Sequence, residues 1–393
     1  MPGPLAGTRV VELGVWVVGP SVGAVLADWG ADVIKVEAPD GDPGRAWTTD
    51  RNPTFELDNR GKRSITLDLT VAEGRQILDA LLAPADVFVT NLRPRVLASF
   101  ELDHARLAQR FPRLVYAEIT GYGSVGPDQD RAAYDSGAFW SRAGVLSAMM
   151  VSGADLPLTP GGSGDHVTAI TAVAGIAAAL FSREGSGRGQ LVSTSLLRSG
   201  IFTVGSDVNR VLRLGDPIPT RPRTEAPNPV YNSYRCRDGR WLFLLGLQPD
   251  RHWVPVVAAL GRPDLLDDPR FVDARSRAEN RGALIAIMTE AFASADLEQW
   301  AETLDACGMW WAPVQGPGDI PDDAQAVAAG AFVEVPVADG TATMVASPVD
   351  FSGTPWSVAR RVPEVGEHTE EILLELGMDW EHITEVRDTG ALG

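Results

Sequence analysis

Cysteine, histidine and long apolar runs are all scarce in this chain of 393 residues. Cys236 and Cys307 are too few for a disulfide framework or a thiolate metal site, and the five histidines show no ligand spacing, so we expect no metal. No stretch reaches the roughly 18 uncharged apolar residues that span a bilayer, and the N-terminus carries no signal-like apolar run. These absences predict a cytoplasmic protein without a membrane segment.

Positive charge is also in short supply, since the formal net charge is -18. This balance argues against a nucleic-acid surface, because binding to phosphate backbones needs clustered Lys and Arg. An anionic ligand needs a local basic pocket instead. The first hundred residues hold a group of cations that predicts either such a pocket or a solvated rim: Lys35, Lys62, Arg45, Arg51, Arg60, Arg63, Arg93 and Arg95.

The remaining composition is that of a globular protein, with 45% hydrophobic and 22% charged residues. The length favours two domains, because single cores stop growing at roughly 250 to 300 residues. A proline-rich stretch predicts a linker over residues 217–230. We therefore predict a large domain over 1–216, a small α+β domain over 231–318, and a return to the large domain over 319–393.

Short β-rich runs alternate with helical patterns through the first half of the chain. Alternation at this spacing predicts a parallel sheet with helices on its faces. The predicted strands are Arg9–Leu13, Val33–Glu37, Ser64–Leu69, Asp86–Thr90, Leu114–Ile119 and Gln190–Ser195.

The opening strand–helix–strand unit superficially suggests a dinucleotide site. It contains Gly14, Gly19 and Gly23, and Glu37 ends the second strand. The glycine spacing does not match the G-x-G-x-x-G pattern, so this alternative is not favoured.

Asp165 stands just before an apolar, Ala-rich helix predicted over His166–Ser182. From its position it is either an N-cap that only satisfies backbone N–H groups, or a nucleophile that the positive end of the helix dipole keeps ionised. Ser163 and Gly164 leave room for a large ligand. Consecutive helical residues point about 100 degrees apart, so His166 is interpreted as structural.

The chain resembles the class III CoA-transferases, the group that includes formyl-CoA transferases, carnitine-type transferases and 2-methylacyl-CoA racemases. The joint order of many short motifs carries the resemblance over nearly the whole length: residues 5–13, 19–20, 26–37, 59–65, 91–94, 121–127, 134–135, 164–165, 187–190, 234–239 and 366–369.

The resemblance implies that Asp165 attacks an acyl-CoA thioester, and that CoA then passes through an aspartyl-CoA thioester to an acceptor carboxylic acid. It also implies a Rossmann-like large domain, whose parallel sheet is built from both termini, and an intertwined homodimer with its active site between subunits. Ala38 and Ser99 stand where some members have arginines that grip the CoA phosphates. Coenzyme A is the implied cofactor, and its implied contacts are Val15, Trp16, Val17, Ala38, Asn59, Lys62, Asn91, Leu92 and Tyr134.

Asp135 matches an acidic residue near the reacting centre of the family, or else it caps a turn. Racemases of the family carry a histidine immediately before that acid, where this chain has Tyr134. Because a tyrosine is a poor proton shuttle at pH 7, CoA transfer is favoured over α-epimerisation of an acyl-CoA. A catalytically inactive acyl-CoA-binding protein is the third hypothesis. The sequence identifies neither the donor nor the acceptor.

Overall fold

The computed structural model describes residues 3–47, 52–151, 154–217 and 219–393, so the predicted cation Arg51 lies outside the described residues. The chain separates into two compact units, and the predicted domain boundaries stay predictions. The first unit comprises Met1–Ala148, Leu158–Pro217 and Gly330–Gly393, and the second comprises Met149–Pro157 and Ile218–Ala329.

A six-stranded sheet forms the centre of the first unit, and all its strands are parallel. Each lies on a predicted strand, with bounds that differ by a few residues at most. The strands are β1 (Arg9–Leu13), β2 (Asp32–Glu37), β3 (Arg63–Thr66), β4 (Val87–Thr90), β5 (Val115–Thr120) and β6 (Leu191–Ser195).

The spatial order of the sheet is β3-β2-β1-β4-β5-β6, so the chain reverses direction across the sheet between β1 and β4. This confirms a parallel α/β sheet. The expectation that both termini build the sheet is wrong, because all six strands lie between Arg9 and Ser195. The order is already complete at β6, and the C-terminal segment adds helices to one face instead.

Helices follow most of these strands and cover the two faces of the sheet. The sequence pattern over Leu196–Leu214 predicts a single helix, whereas the structure breaks this helix at Val204, just before a glycine. A 3-10 turn spans Pro43–Trp47 and a π-helical turn spans Ser136–Arg142. The helices are α1 (Val18–Asp28), α2 (Pro53–Asn59), α3 (Ala72–Leu82), α4 (Pro94–Ser99), α5 (His104–Arg110), α6 (Val145–Ala148), α7 (Ser163–Ser186), α8 (Leu196–Thr203) and α9 (Gly205–Leu214).

Side chains that alternate along the strands supply two separate apolar cores. Val10 and Val87 belong to the core under α1 and α7, whereas Val11 and Phe88 belong to the opposite core under α3 and α5. Successive strand residues point to opposite faces, so two-sided burial requires the near-continuous apolar runs seen in the sequence.

The second unit has its own apolar core, around a three-stranded antiparallel sheet. The pair Asp238-Gly239 is typical of a hairpin turn, and it lies between the first two strands of this sheet. Two 3-10 turns span Arg223–Glu225 and Ile320–Asp322. The other elements are β7 (Ser233–Arg235), β8 (Trp241–Leu244), α10 (Trp253–Ala259), α11 (Asp264–Asp267), α12 (Ala274–Glu279), α13 (Arg281–Phe292), α14 (Leu297–Ala306), β9 (Trp311–Val314) and α15 (Ala324–Ala328).

The last segment returns to the first unit. It forms an antiparallel hairpin of β10 (Phe332–Val337) and β11 (Gly340–Val345), and then α16 (Thr369–Glu375) and α17 (Trp380–Asp388). Ile372 and Ile383 of these helices are buried in the core under α3 and α5.

Helix α7 is longer than predicted, with 24 residues instead of the span His166–Ser182. By length and composition it could cross a membrane, which the sequence argument had excluded, and 39% of its apolar window is buried within this chain. It packs on the sheet through Ala169, Val173 and Ile176. Cytoplasmic localisation stays a prediction.

Candidate active site

The carboxyl ends of β1 and β4 meet where the strand order reverses, which is where open parallel sheets bind ligands. Asn91, directly after β4, holds the loop that follows β1. Its Oδ1 accepts a hydrogen bond from the Val15 N–H at 2.9 Å, and its Nδ2 donates to the Val15 carbonyl at 2.8 Å. The predicted contacts Val15, Asn91 and Leu92 are thus brought together, all half-buried.

Trp16 adopts a strained backbone conformation in this loop, with a φ of 68°. Its N–H donates to Asp42 Oδ1 at 3.0 Å, and its indole packs edge-on against Tyr134 with centroids 5.8 Å apart. A non-glycine residue in the left-handed region persists only where its surroundings hold it, and such residues concentrate at functional sites. Val17 is buried in the same loop, and Ala38 is exposed directly after β2.

Asp165 lies in the first turn of α7 but is not its N-cap, because the helix begins at Ser163 with Gly162 as the cap. The Asp165 carboxylate is half-buried, and no group in the described part of the chain forms a hydrogen bond or ion pair with it. Gly164 is buried against Phe139, where a Cβ would lie 2.6 Å from the ring. This glycine therefore permits close packing within the chain rather than ligand approach.

Asp135 is buried at the start of the π-helical turn. Its Oδ2 accepts a hydrogen bond from the Gly164 N–H at 3.2 Å. The structure thus joins the two predicted acids: Asp135 holds the helix start that carries Asp165.

Burial raises the pKa of Asp165 to about 7, and the negative charge of Asp135 adds to the effect, while His166 opposes it. The helix dipole was expected to favour the ionised form of this carboxylate. Burial and the charge of Asp135 act in the opposite direction, because desolvation and a like charge both disfavour the charged form.

Asp58 and His166 form a pair beside Asp165 that sequence reasoning missed. His166 Nε2 donates to Asp58 Oδ1 at 3.0 Å, and Ser21 Oγ donates to the same oxygen at 2.6 Å. Residues 21, 58 and 166 lie on three different helices, so no local spacing could have revealed the contact. The interpretation of His166 from its neighbour's direction alone was too narrow.

Lys62 and Asn59 are fully buried and bind protein groups. Lys62 Nζ lies 2.7 Å from Glu12 Oε2, donates to Asn59 Oδ1 at 2.9 Å, and donates to two main-chain carbonyls, of Pro20 and Asp58. Three ammonium hydrogens facing four acceptors leave no bond for a phosphate. The predicted phosphate contact of Lys62 is therefore revised to a structural role.

Most of the other predicted cations are likewise paired with carboxylates. Lys35 binds Glu12 and Asp42, while Arg45, Arg60 and Arg63 bind Glu37, Asp28 and Asp32 respectively. Arg93 and Arg95 differ, because both are exposed and neither has an ion pair within the described ranges. They follow Asn91 directly, beside the reversal of strand order.

Comparisons with known proteins agree with this architecture. Residues 5–369 match the family model described as CoA-transferase family III. The chain belongs to that family. The resemblance seen in the sequence is thus confirmed, and as a member of CoA-transferase family III the chain is a CoA-transferase of the EC 2.8.3 type.

Two curated CoA-transferases and one solved structure illustrate the match. The (R)-2-hydroxy-4-methylpentanoate CoA-transferase of Clostridioides difficile is 32% identical over 98% of each chain. The cinnamoyl-CoA:phenyllactate CoA-transferase of Clostridium sporogenes is 31% identical over 97% of this chain and 95% of its own. A CAIB/BAIF family protein from Brucella suis is 30% identical, covers 96% of this chain and all of its own, and superposes with a TM-score of 0.85.

Proposed function

We propose that CoA transfer by this chain proceeds through the carboxylate of Asp165. An Asp165 oxygen attacks the thioester carbonyl and the C–S bond breaks. CoA departs as a thiolate, and the acyl group remains bound to Asp165 as a mixed anhydride. The thiolate then attacks the aspartyl carbonyl, releasing the first acid and leaving an aspartyl-CoA thioester. The acceptor carboxylate reverses both steps, so that a new acyl-CoA leaves and Asp165 is regenerated without net proton change.

The observation that carries this proposal is a half-buried carboxylate with no partner among the described residues, placed at a helix start next to the ligand-binding edge of a parallel sheet. The fully buried carboxylates of Glu12 and Asp28, by contrast, are paired with cations. Its pKa of about 7 leaves a substantial ionised fraction at neutral pH and a more basic nucleophile than an ordinary aspartate.

Asp135 is proposed to tune and hold the nucleophile. Its charge raises the pKa of Asp165, after burial, and its hydrogen bond to Gly164 fixes the first turn of α7. Asp135→Asn should keep the hydrogen bond to Gly164 in part and remove the charge. We expect the pH optimum of CoA transfer to shift to lower pH in this variant, because Asp165 then ionises more readily.

We further propose that CoA lies along the edge formed by Val15, Trp16, Ala38, Leu92 and Tyr134, with its phosphates near Arg93 and Arg95. The guanidinium groups of these two arginines have no ion pair in the described ranges, although the Arg95 main-chain N–H donates to Asp130 Oδ1 at 3.0 Å. A guanidinium suits a phosphate. If the assignment holds, Arg93→Ala raises the KM for acyl-CoA and reduces its dependence on salt. An unchanged KM and salt dependence in both Arg93→Ala and Arg95→Ala would contradict it.

Transfer is preferred over epimerisation because Tyr134 stands where the racemases have histidine, and 63% of its surface is exposed. Exchange of the α-hydrogen with deuterium from solvent, in the absence of any acceptor acid, would favour the epimerase instead.

For the substrates, we propose acids with an apolar substituent, as in the hydroxy-acid transferases that this chain resembles. Transfer rates with a panel of acceptor acids test this substrate class: branched 2-hydroxy acids, aryl 2-hydroxy acids, and dicarboxylates such as succinate. A preference for the dicarboxylates would contradict the proposed substrate class.

A homodimer is proposed from the exposed apolar side chains of α8 and α9. Phe202, Leu212 and Leu214 are 87%, 75% and 67% exposed, which is costly in water unless they are covered. We expect a second copy of the chain to cover them. Light scattering that gives a monomer mass at micromolar concentration would contradict this.

The decisive experiment compares Asp165→Asn with Asp207→Asn. Asp207 also lies in the first turn of a helix, α9, so it controls for removal of a helix-start carboxylate. We expect Asp165→Asn to abolish transfer and to lose the CoA adduct that mass spectrometry finds on the wild-type Asp165 peptide. Asp207→Asn should retain both. Turnover by Asp165→Asn would refute the mechanism.

A further inference from the structure

The pair of Asp58 and His166 lies beside Asp165 and has no part in the bond changes described above. Ser21 Oγ and His166 Nε2 both donate to Asp58 Oδ1, at 2.6 and 3.0 Å. The Asp58 side chain is 2% exposed, whereas that of His166 is 38% exposed. A buried, fixed carboxylate thus orients an imidazole ring that still reaches the surface.

The ring of His166 also lies near Val17, in the loop that follows β1. A Cβ added at Gly162 would lie 3.6 Å from Val17 Cγ1 and 3.7 Å from His166 Cε1, so both groups flank the same glycine. His166 is therefore near the loop that is proposed to bind CoA. In the sequence it directly follows the proposed nucleophile.

Asp58 has reason to bind a charged imidazole. Its Oδ2 is buried and makes no hydrogen bond within the described residues, so its charge is only partly compensated. Burial disfavours the charged form of His166, but Asp58, with Asp165 and Asp135, more than offsets this and raises the pKa of His166.

We propose that His166, held in its charged form by Asp58, is a positioning residue that keeps the Asp165 carboxylate ionised for attack. The inference rests on the proposed role of Asp165. The charged groups that act on Asp165 are Asp135 and Asp58, which oppose its ionisation, and His166, which favours it. Buried Lys62, which binds the Asp58 carbonyl, lies behind Asp58.

The first test is the pH profile of kcat/KM for His166→Gln, which removes the charge and keeps a polar side chain. We expect the acidic limb to move up by about one pH unit, the size of an opposite-charge effect at short range. Transfer should then fall about tenfold at pH 6 and recover to within about twofold near pH 8.5. His382→Gln, an exposed histidine on α17, is the matched control and should leave the profile unchanged.

The second test reads the charge of His166 directly. The ring of His166 in the wild-type protein is titrated by NMR, with its signal assigned by its loss in His166→Gln. We expect a midpoint above the ordinary value of a histidine, and a fall of that midpoint in Asp58→Asn. A His166 ring that is neutral at pH 7 overturns the inference, as does an unshifted acidic limb in folded His166→Gln.

The two proposals fail in different ways. If Asp165→Asn still transfers CoA, the assignment of Asp165 as the nucleophile is refuted, and so is the inference about His166. Loss of transfer in Asp165→Asn together with an unshifted profile in His166→Gln would leave the mechanism in place and remove only the role of His166.

Discussion

Two groups of buried charges lie near the same edge of the sheet, and they differ in how completely they are paired. Around Lys35, the carboxylates of Glu12 and Asp42 lie 3.1 and 2.8 Å from the ammonium, and all three side chains are fully buried. Around Asp165, burial and Asp135 oppose the charge, and no described group binds the carboxylate. Paired charges hold a structure together, whereas an unpaired one is available for chemistry.

Asp42 shows that the first group also serves the site. It binds Lys35 through Oδ2 and the strained Trp16 N–H through Oδ1. Although burial opposes ionisation, Glu12 and Asp42 raise the pKa of Lys35, so this ammonium stays charged throughout the physiological range. The paired charges around Lys35 thereby hold the loop that follows β1, which belongs to the candidate active site.

The largest effect on stability is expected from Lys35→Met. Removing the cation leaves Glu12 and Asp42 buried without their partner, which costs about 3–5 kcal/mol of unfolding free energy. Urea unfolding at pH 7 measures this. A loss below about 1 kcal/mol would show that the group is not a paired structural centre.

A smaller effect is expected from Asn91→Ala, which removes both side-chain bonds to Val15. We expect a loss of about 1–2 kcal/mol in unfolding free energy and a several-fold rise in the KM for acyl-CoA. The exposed Asn209 on α9 provides the control variant Asn209→Ala. An unchanged KM for acyl-CoA would show that the loop held by Asn91 does not contribute to CoA binding.

Asp165→Asn is expected to increase the free energy of unfolding rather than to decrease it. The folded-state pKa of Asp165, about 7, lies above the ordinary 3.8, so the unfolded chain releases this proton more readily. The stability that the protonated form contributes is present below pH 4 and is lost as pH rises to about 7. The variant should therefore be more stable than wild type at pH 8, by on the order of 1 kcal/mol, and this gain should vanish at pH 4. Unfolding curves at both pH values check the sign.

The smallest effect is expected at the surface pair Arg275 and Glu279, four residues apart on one exposed helix stretch. Water screens such a pair, so Arg275→Ala should leave both the unfolding midpoint and the transfer rate within experimental error. A clear loss would mean that exposed charges matter more here than the contrast between the two buried groups implies.

Much of the fold could be predicted because its signals are local. Alternating apolar runs predicted the strands of the sheet, and Asp339-Gly340 marked the tip of the second hairpin. The break at Val204 and the true start of α7 at Ser163 were missed, since each depends on packing that a pattern of residue types does not encode.

The site was predicted only in part, for a related reason. Asp165 and Asp135 could be named from motifs, but their connection through Gly164 spans 29 residues. Lys62 was predicted to contact CoA because a sequence shows charge and not depth. Its four buried acceptors come from α1, α2 and β1.

The amino-acid sequence by itself determined the α/β class, the family, and the two acids at the start of α7 and of the π-helical turn. Only the tertiary structure decided which charges are paired, that Asp58 faces His166, and that Asp165 is half-buried without a partner among the described residues. The physical reason is that desolvation and charge pairing depend on distances between segments far apart in the chain. Local propensities act only over neighbouring residues.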